Sequence, residues 1–189
     1  MSSQHPIIIT GLGGQGVQLA AQTLCRARVL EGGHAQYFSF VGGVMRGGMS
    51  SAYVVLADDE VAIPSLFDWA LTALVLHRAH AAAALDRVDE RSTVVLDPSM
   101  VDALGSPART VALPFNEIAR AAEAKGAMSL VAVAALAAVG GLVSCDALST
   151  AMRESLPPYR RDRAGDNERA IAAGYAAGAD VAAAGAAVR

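Results

Sequence analysis

The sequence has few of the residues that build metal centres or nucleic-acid surfaces. Its 189 residues include only two cysteines, Cys25 and Cys145, which lie far apart and form no CxxC pair. Iron–sulfur clusters and thiolate zinc sites need grouped cysteines, so a self-contained site of either kind is excluded. Basic residues are also scarce, because 15 Lys and Arg stand against 18 Asp and Glu for a net charge of −3. Without a basic face we expect no nucleic-acid partner.

The sequence also lacks a leader and a long apolar run. No basic segment followed by an apolar stretch stands at the N-terminus, so we expect no signal peptide and a cytoplasmic protein. The most apolar stretch, residues 127–143, falls short of the usual membrane-spanning length and contains two glycines. It predicts a buried core helix and no membrane contact. Aromatics are only 5% although hydrophobic residues reach 53%, much of it alanine. Such an apolar chain is expected to associate, as a homodimer when isolated or with partners.

Short β-branched runs alternate with alanine-rich helical stretches. Residues 7–10 predict a buried strand, and a glycine-rich turn, a helix over 17–30 and a strand over 35–38 complete a βαβ unit. Further strands are predicted over 52–56, 70–76, 93–96 and 110–113, with mainly helices afterwards. The alternation predicts an α/β fold, a single three-layer α/β/α sandwich over residues 1–189 with a mostly parallel sheet. A hairpin of 52–56 with 61–63 would make the sheet mixed, and the tail from about 179 to 189 is expected to fray.

The glycine-rich turn contains the spacing GxGxxG, from Gly11 to Gly16. Glycines at this spacing allow a tight turn, and the following helix N-terminus presents N–H groups to an anion. NAD binding would also need an acidic residue roughly 20 residues on, at the end of the second strand. That strand ends at Ser39, and the nearest acid, Glu31, precedes it. An autonomous NAD(P)-dependent oxidoreductase or a nucleotide-binding module remains the alternative, and the glycines could instead serve only to pack the helix closely.

A second glycine-rich loop carries one arginine, Arg46, followed by Gly47 and Gly48. A guanidinium held over exposed backbone suits a phosphate or carboxylate, whereas the structural alternative is a helix cap or an ion pair with an aspartate. Both glycine loops follow predicted strands, so we expect them to lie together at the carboxyl edge of the sheet. His77 and His80 share a helix-like face without an evident third ligand, and neither a metal site nor a catalytic residue is predicted.

Together these motifs resemble the gamma subunit of the pyruvate/2-ketoisovalerate, or 2-oxoacid:ferredoxin, oxidoreductase family. The opening motif of that family is similar to GxGGQGV, which occurs here over residues 11–17. Its second motif is similar to the RGG of residues 46–48, which leads into a strand of small and β-branched residues. An Ile63-Pro64 step and the Asn167 segment also fit the family. The resemblance covers about residues 7 to 178, and the two glycine motifs together make it specific.

The resemblance implies a subunit that completes an active site without carrying one. Family members oxidatively decarboxylate a 2-oxoacid to an acyl-coenzyme A thioester and pass electrons to ferredoxin or another acceptor. Thiamine diphosphate, magnesium and iron–sulfur clusters are expected on alpha- and beta-type partner subunits, and coenzyme A is the ligand expected to touch this chain. The cofactor-binding residues predicted from the two motifs are Gly11, Gly13, Gly14, Gln15, Gly16, Arg46, Gly47 and Gly48.

Overall fold

A computed structural model describes residues 4–42, 48–103 and 105–186 of the chain. The sheet formed by these residues has six strands. Within the sheet, the apolar side chains of the central strands are the least exposed. The strands are β1 (Gln4–Leu12), β2 (His34–Val41), β3 (Met49–Ala57), β4 (Thr72–Val75), β5 (Thr93–Leu96) and β6 (Arg109–Ala112). Arg46 and Gly47 of the predicted site lie outside the described residues.

The sheet is mixed, with the strand order β2-β3-β1-β4-β5-β6. Strands β1, β4, β5 and β6 are parallel, whereas β3 is antiparallel to both of its neighbours. Within β3, Tyr53 pairs with Phe38 on one side and with Ile8 on the other. The predicted βαβ unit is therefore split, because β3 lies between its two strands. The predicted hairpin partner at residues 61–63 is wrong, since that segment forms no strand and β2 takes its place.

Helices cover both faces of the sheet. They are α1 (Val17–Leu30), α2 (Ala82–Leu85), α3 (Phe115–Ala121), α4 (Met128–Gly140), α5 (Cys145–Ser155) and α6 (Ala164–Ala186). Within the described ranges, three 3-10 helices join them, at Arg78–His80, Pro98–Ala103 and Pro158–Arg163. The predicted α/β sandwich is confirmed, in its mixed-sheet form. Residues 179–186, part of the tail that is expected to fray, lie within α6.

The two helical layers are unequal. On one face Ile7, Ile9 and Val54 pack into a large cluster with α1, α4 and α6. On the other face Ile8 and Val55 pack into a smaller cluster with the short α2 and its neighbouring loops. The alternation of residues along β1 between the two clusters follows the period of two of a strand with both faces buried.

Helix α4 is the apolar segment that the sequence marked as a core helix. Nine of its residues are buried, from Ser129 to Ala137. Helix α6 approaches its backbone closely, because Gly174 and Gly178 face Val131 and Ala135 and have no side chain to separate the two helices. Among the described residues, no helix is both long enough and apolar enough to cross a membrane.

Candidate functional site

The glycine turn occupies the four residues between β1 and α1. Gly14 and Gly16 have φ values of 96° and 86°, in the left-handed region that favours glycine. Gly16 is the N-cap of α1 and offers no side chain to its first N–H groups. The turn therefore requires glycine at these two positions for backbone reasons, and it leaves the N-terminus of α1 open.

Gly11 belongs to the strand and not to the turn. It is buried and pairs with Ser50 of β3. A Cβ at Gly11 would lie 3.0 Å from Gln15 Oε1 and Val17 Cγ2, so the missing side chain allows α1 to pack close to the strand. The structural alternative considered from the sequence thus accounts for Gly11.

The two glycine loops lie together, as the sequence predicted. The N–H of Gly13 donates to the carbonyl of Gly48 over 2.8 Å, and the N–H of Gln15 donates to that of Leu12 over 3.1 Å. Each of these two N–H groups therefore already has a backbone acceptor.

The side chain of Gln15 stabilises the turn. Its Oε1 accepts from the N–H of Leu12 at 2.7 Å, and its Nε2 lies 3.4 Å from the carbonyl of Leu76. A side chain with both an acceptor and a donor is needed to contact β1 and the end of β4 at the same time. Gln15 therefore has a structural role in addition to any contact with a ligand.

Gln18 forms a second polar network that the motif analysis missed. Its Nε2 donates to Ser50 Oγ at 3.0 Å and to the carbonyl of Ser51 at 3.2 Å. The hydroxyl of Tyr37 donates to its Oε1. The first turn of α1 is thereby joined to β3 and to the edge strand β2. This network could not be predicted from the sequence, because its members come from three separate elements.

A cavity of about 360 Å³ lies beside the turn, and Gly14, Gln15 and Gly16 form part of its wall. Neither Gly11 nor Gly13 lines it. Helix α1 carries no acidic residue in its first turn. A helix N-terminus has a partial positive charge and unpaired N–H groups, so the cavity favours an anionic group.

A second cavity, of about 340 Å³, lies at the carboxyl ends of the parallel strands. Helix α1 follows β1 on one face of the sheet and α2 follows the adjacent β4 on the other, which makes this edge a topological switch point. Its walls include His77, Asp97, Ser99 and Asn116. Gln15 lines both cavities, so the glycine turn separates them.

The histidine pair lies beside this second cavity. Nδ1 of His77 accepts from the N–H of Ala79, and the rings of His77 and His80 are 6.3 Å apart between centroids. Groups of three or more His, Cys, Asp or Glu side chains suited to a metal ion do not occur in the part of the chain that the structure describes.

Neither cysteine has the setting of a reactive thiol. Cys25 and Cys145 are not joined in a disulfide. Burial raises the pKa of the Cys25 thiol to about 12, so it stays protonated at neutral pH. Burial also raises the pKa of Cys145, with a contribution from nearby Asp146. Nucleophilic or ligand chemistry at either sulfur is thus disfavoured.

The fold disfavours the dinucleotide alternative as well. A ribose-binding acid stands at the end of the strand next to β1 in such sites, but here β3 occupies that place and β2 is one strand further out. Glu31 accepts from the N–H of Ser144 at 2.8 Å, at the far end of α1 from the glycine turn. It is therefore not available to a nucleotide at the turn.

Comparison with known proteins agrees with these features. Residues 6–177 match the family described as pyruvate ferredoxin/flavodoxin oxidoreductase, and the chain belongs to this family. The resemblance inferred from the two glycine motifs is confirmed: the chain is of the gamma-subunit type of a 2-oxoacid:ferredoxin oxidoreductase.

Three similar proteins illustrate the relationship. The 2-oxoglutarate synthase subunit KorC of Archaeoglobus fulgidus is 34% identical over 75% of this chain and 74% of its own length. The keto/oxoacid ferredoxin oxidoreductase gamma subunit of Geobacter sulfurreducens has the same fold, with a TM-score of 0.74 at 23% identity over 92% of this chain and 98% of that one. The 2-oxoglutarate:ferredoxin oxidoreductase of Magnetococcus marinus, solved with 2-oxoglutarate, coenzyme A and succinyl-CoA, aligns with a TM-score of 0.79 at 16% identity, over 94% of this chain and 31% of that chain.

Proposed function

We propose that the chain is a single gamma-type domain that works in a thiamine diphosphate-dependent 2-oxoacid:ferredoxin oxidoreductase. Alpha- and beta-type partners hold thiamine diphosphate, magnesium and the iron–sulfur clusters, and electrons leave through them to ferredoxin or another acceptor. The complex oxidatively decarboxylates a 2-oxoacid to an acyl-coenzyme A. This chain shapes the site and helps to bind coenzyme A.

One observation supports this role above the others. The GGQG turn, at the open N-terminus of α1, is hydrogen-bonded through Gly13 to Gly48 of the RGG loop, beside a cavity suited to an anion. Coenzyme A carries phosphate groups, which helix N-termini and arginine side chains bind well. The related enzyme of Magnetococcus marinus has coenzyme A bound.

Recovery of partners tests the subunit role. A tagged form of the full chain, expressed in its native organism, is expected to co-purify with larger subunits that contain thiamine diphosphate and iron–sulfur clusters. Cofactor content would be measured by absorbance and by fluorescence of oxidised thiamine. Recovery of the chain by itself, with an oxidoreductase activity of its own, would contradict the proposal.

Arg46 tests the coenzyme A role. In the purified complex, Arg46→Ala should weaken coenzyme A binding about tenfold to a hundredfold, because a charge-assisted contact contributes about 1.5–3 kcal/mol. Arg120→Ala, an exposed arginine on α3, is the matched control. Unchanged affinity in Arg46→Ala, with assembly intact, would show that the RGG arginine does not bind the ligand.

A further inference from the structure

Strand β2 is an edge of the sheet, with no strand on its outer side among the described residues. In an antiparallel ladder every second residue bonds the neighbouring strand, and the residues between direct their N–H and C=O groups to the other side. The N–H of Gly42 donates to the carbonyl of Met49 at 2.8 Å, in the same register as the β2–β3 ladder. Even-numbered residues of β2 therefore bond β3. The residues whose backbone groups face outward are Ala35, Tyr37, Ser39 and Val41.

This edge lacks the features that usually prevent pairing. Edge strands are commonly protected by charged side chains, proline or a bulge. The eight residues of β2 include no Lys, Arg, Asp, Glu or Pro, and they pair with β3 without interruption. Phe38, Phe40 and Val41 are exposed by 40%, 48% and 59%. A long, uncharged and partly apolar edge of this kind favours pairing with another strand.

The strand is complementary to itself. Two copies related by a two-fold axis through Phe38 place Ala35 opposite Val41 of the second copy, and Tyr37 opposite Ser39 of the second copy. In this register every outward-facing N–H and C=O group of both strands has a partner, and no like charges meet. Phe38 lies opposite itself at a position without backbone hydrogen bonds, where side chains come closest and an aromatic pair is stabilising.

A groove beside β2 fits the same arrangement. It has a volume of about 560 Å³, and its apolar wall includes Val29, Leu30, Ala35 and Tyr37. Val29 and Leu30 are 56% and 46% exposed. The side chain of Val41 lies on the same face of β2 as those of Ala35 and Tyr37, because faces alternate with a period of two. The two-fold register therefore brings Val41 of each copy next to the groove of the other.

The charged residues of the groove are paired with each other. Arg26 and Glu154 form an ion pair at 2.8 Å across its wall. The groove therefore has no free charge with which to attract a charged segment. An uncharged occupant such as β2 of a second copy matches it.

We propose that β2 is a dimerisation strand. A second copy of the chain adds its own β2 antiparallel to this one about a two-fold axis through Phe38, which joins the two six-stranded sheets into one continuous sheet. Val41 of each copy enters the groove of the other. The dimer does not depend on the proposed function, because it uses only β2 and the groove beside it.

Sedimentation velocity of the purified full chain tests the dimer. The native sequence is expected to have twice the mass of one chain at micromolar concentration. Phe38→Glu and Phe38→Lys each place like charges opposite each other across the axis, and each should raise the dissociation constant of the dimer at least about a hundredfold. An equal mixture of the two variants should restore the dimer, because opposite charges then meet. Tyr159→Glu is the matched control, since Tyr159 is 78% exposed and lies outside both β2 and the groove, and it should leave the mass unchanged.

Ser39→Pro tests the backbone pairing separately. Proline removes the N–H of residue 39, which faces outward, so no hydrogen bond to β3 is lost and the edge tolerates the change. The variant should keep the circular dichroism of the native chain and weaken the dimer at least about tenfold.

Three results would overturn the proposal. A dimer that persists in Phe38→Glu would place the interface elsewhere on the chain. Loss of the dimer in both Phe38 variants without recovery in their mixture would show that Phe38 does not lie opposite itself. A native chain that is monomeric, with Ser39→Pro releasing larger subunits from the complex, would show that β2 pairs with a partner subunit and not with a second copy.

Discussion

The N–H of Gly13 donates to the carbonyl of Gly48, so the turn after β1 and the loop before β3 are held as one unit. The β1–β3 ladder ends just before this point, at the pair of Leu12 with Met49, and the bond extends it by one step. A substitution that shifts the backbone of one glycine loop should therefore also shift the backbone of the other. The two motifs that identify the family are thus adjacent in space as well as specific in sequence.

Two glycines of the turn should differ in their tolerance of alanine. Gly14 and Gly16 both have positive φ, which costs an alanine about 1–2 kcal/mol. A Cβ at Gly14 meets nothing within 4 Å, whereas one at Gly16 collides with Ser129. We expect Gly16→Ala to lower the free energy of unfolding by about 1–3 kcal/mol more than Gly14→Ala. Urea unfolding measures the difference, and equal losses would show that Ser129 does not restrict Gly16.

Glycines in α6 should be essential to its contact with α4. A Cβ at Gly174 would lie 2.7 Å from Cα of Val131, and one at Gly178 would lie 2.8 Å from Cα of Ala135. Helix propensity alone predicts that Gly→Ala stabilises by about 1 kcal/mol, but the collision with backbone should reverse the sign. We expect Gly174→Ala to destabilise the chain by at least about 2 kcal/mol.

The matched control for this contact is Gly165, near the start of α6. A Cβ there would have Arg169 Nη1 at an ordinary distance of 3.7 Å. Gly165→Ala should be neutral or stabilising by up to about 1 kcal/mol in the same thermal or urea unfolding experiment. If Gly174→Ala were as stable as Gly165→Ala, the close approach of α4 and α6 would be disproved.

His5 should make the fold sensitive to acid. Burial lowers the pKa of His5 from 6.5 to about 4, and its Nε2 lies 2.7 Å from Thr72 Oγ1. Between these pH values the unfolded chain binds a proton that the native chain does not, so stability is complete above pH 6.5 and falls toward pH 4. The loss is at most about 3 kcal/mol.

A pH series of unfolding free energies on the His5→Gln variant tests this effect. The variant should show a flatter dependence on pH between 6.5 and 4 than the native sequence. His34→Gln, at an exposed position in β2, serves as the control and should keep the native slope. An unchanged slope in His5→Gln would assign the acid sensitivity to other groups.

Local sequence patterns predicted the helices and strands well where a single factor, burial or a flanking glycine, determines them. The apolar β-branched run at residues 7–10 lies within β1, and α1 covers the predicted 17–30 because glycines stand at both of its ends. The apolar segment after residue 127 forms the buried helix α4 as predicted, because its apolar side chains are buried in the core. The family resemblance added the type of protein, which periodicity alone does not specify.

Strand order and side-chain contacts could not be predicted in the same way. A run of buried apolar residues fits a parallel or an antiparallel neighbour equally well, so the insertion of β3 between β1 and β2 left no local signal. Ser129 and Arg160 also line the cavity beside the glycine turn, and this could not be predicted because they come from the C-terminal half and meet the turn only in the folded chain. The glycine motif indicates only the wall of the cavity that the turn forms, and it does not predict the residues of the opposite wall.

Reconstitution of the oxidoreductase with and without this chain tests the central claim most directly. Alpha- and beta-type partners would be purified and assayed for 2-oxoacid-dependent reduction of ferredoxin and for formation of the acyl-coenzyme A. We predict that partners alone form little thioester and that adding the full chain restores a rate that saturates with coenzyme A. A full rate of thioester formation by the partners alone, unchanged when the chain is added, would contradict the account.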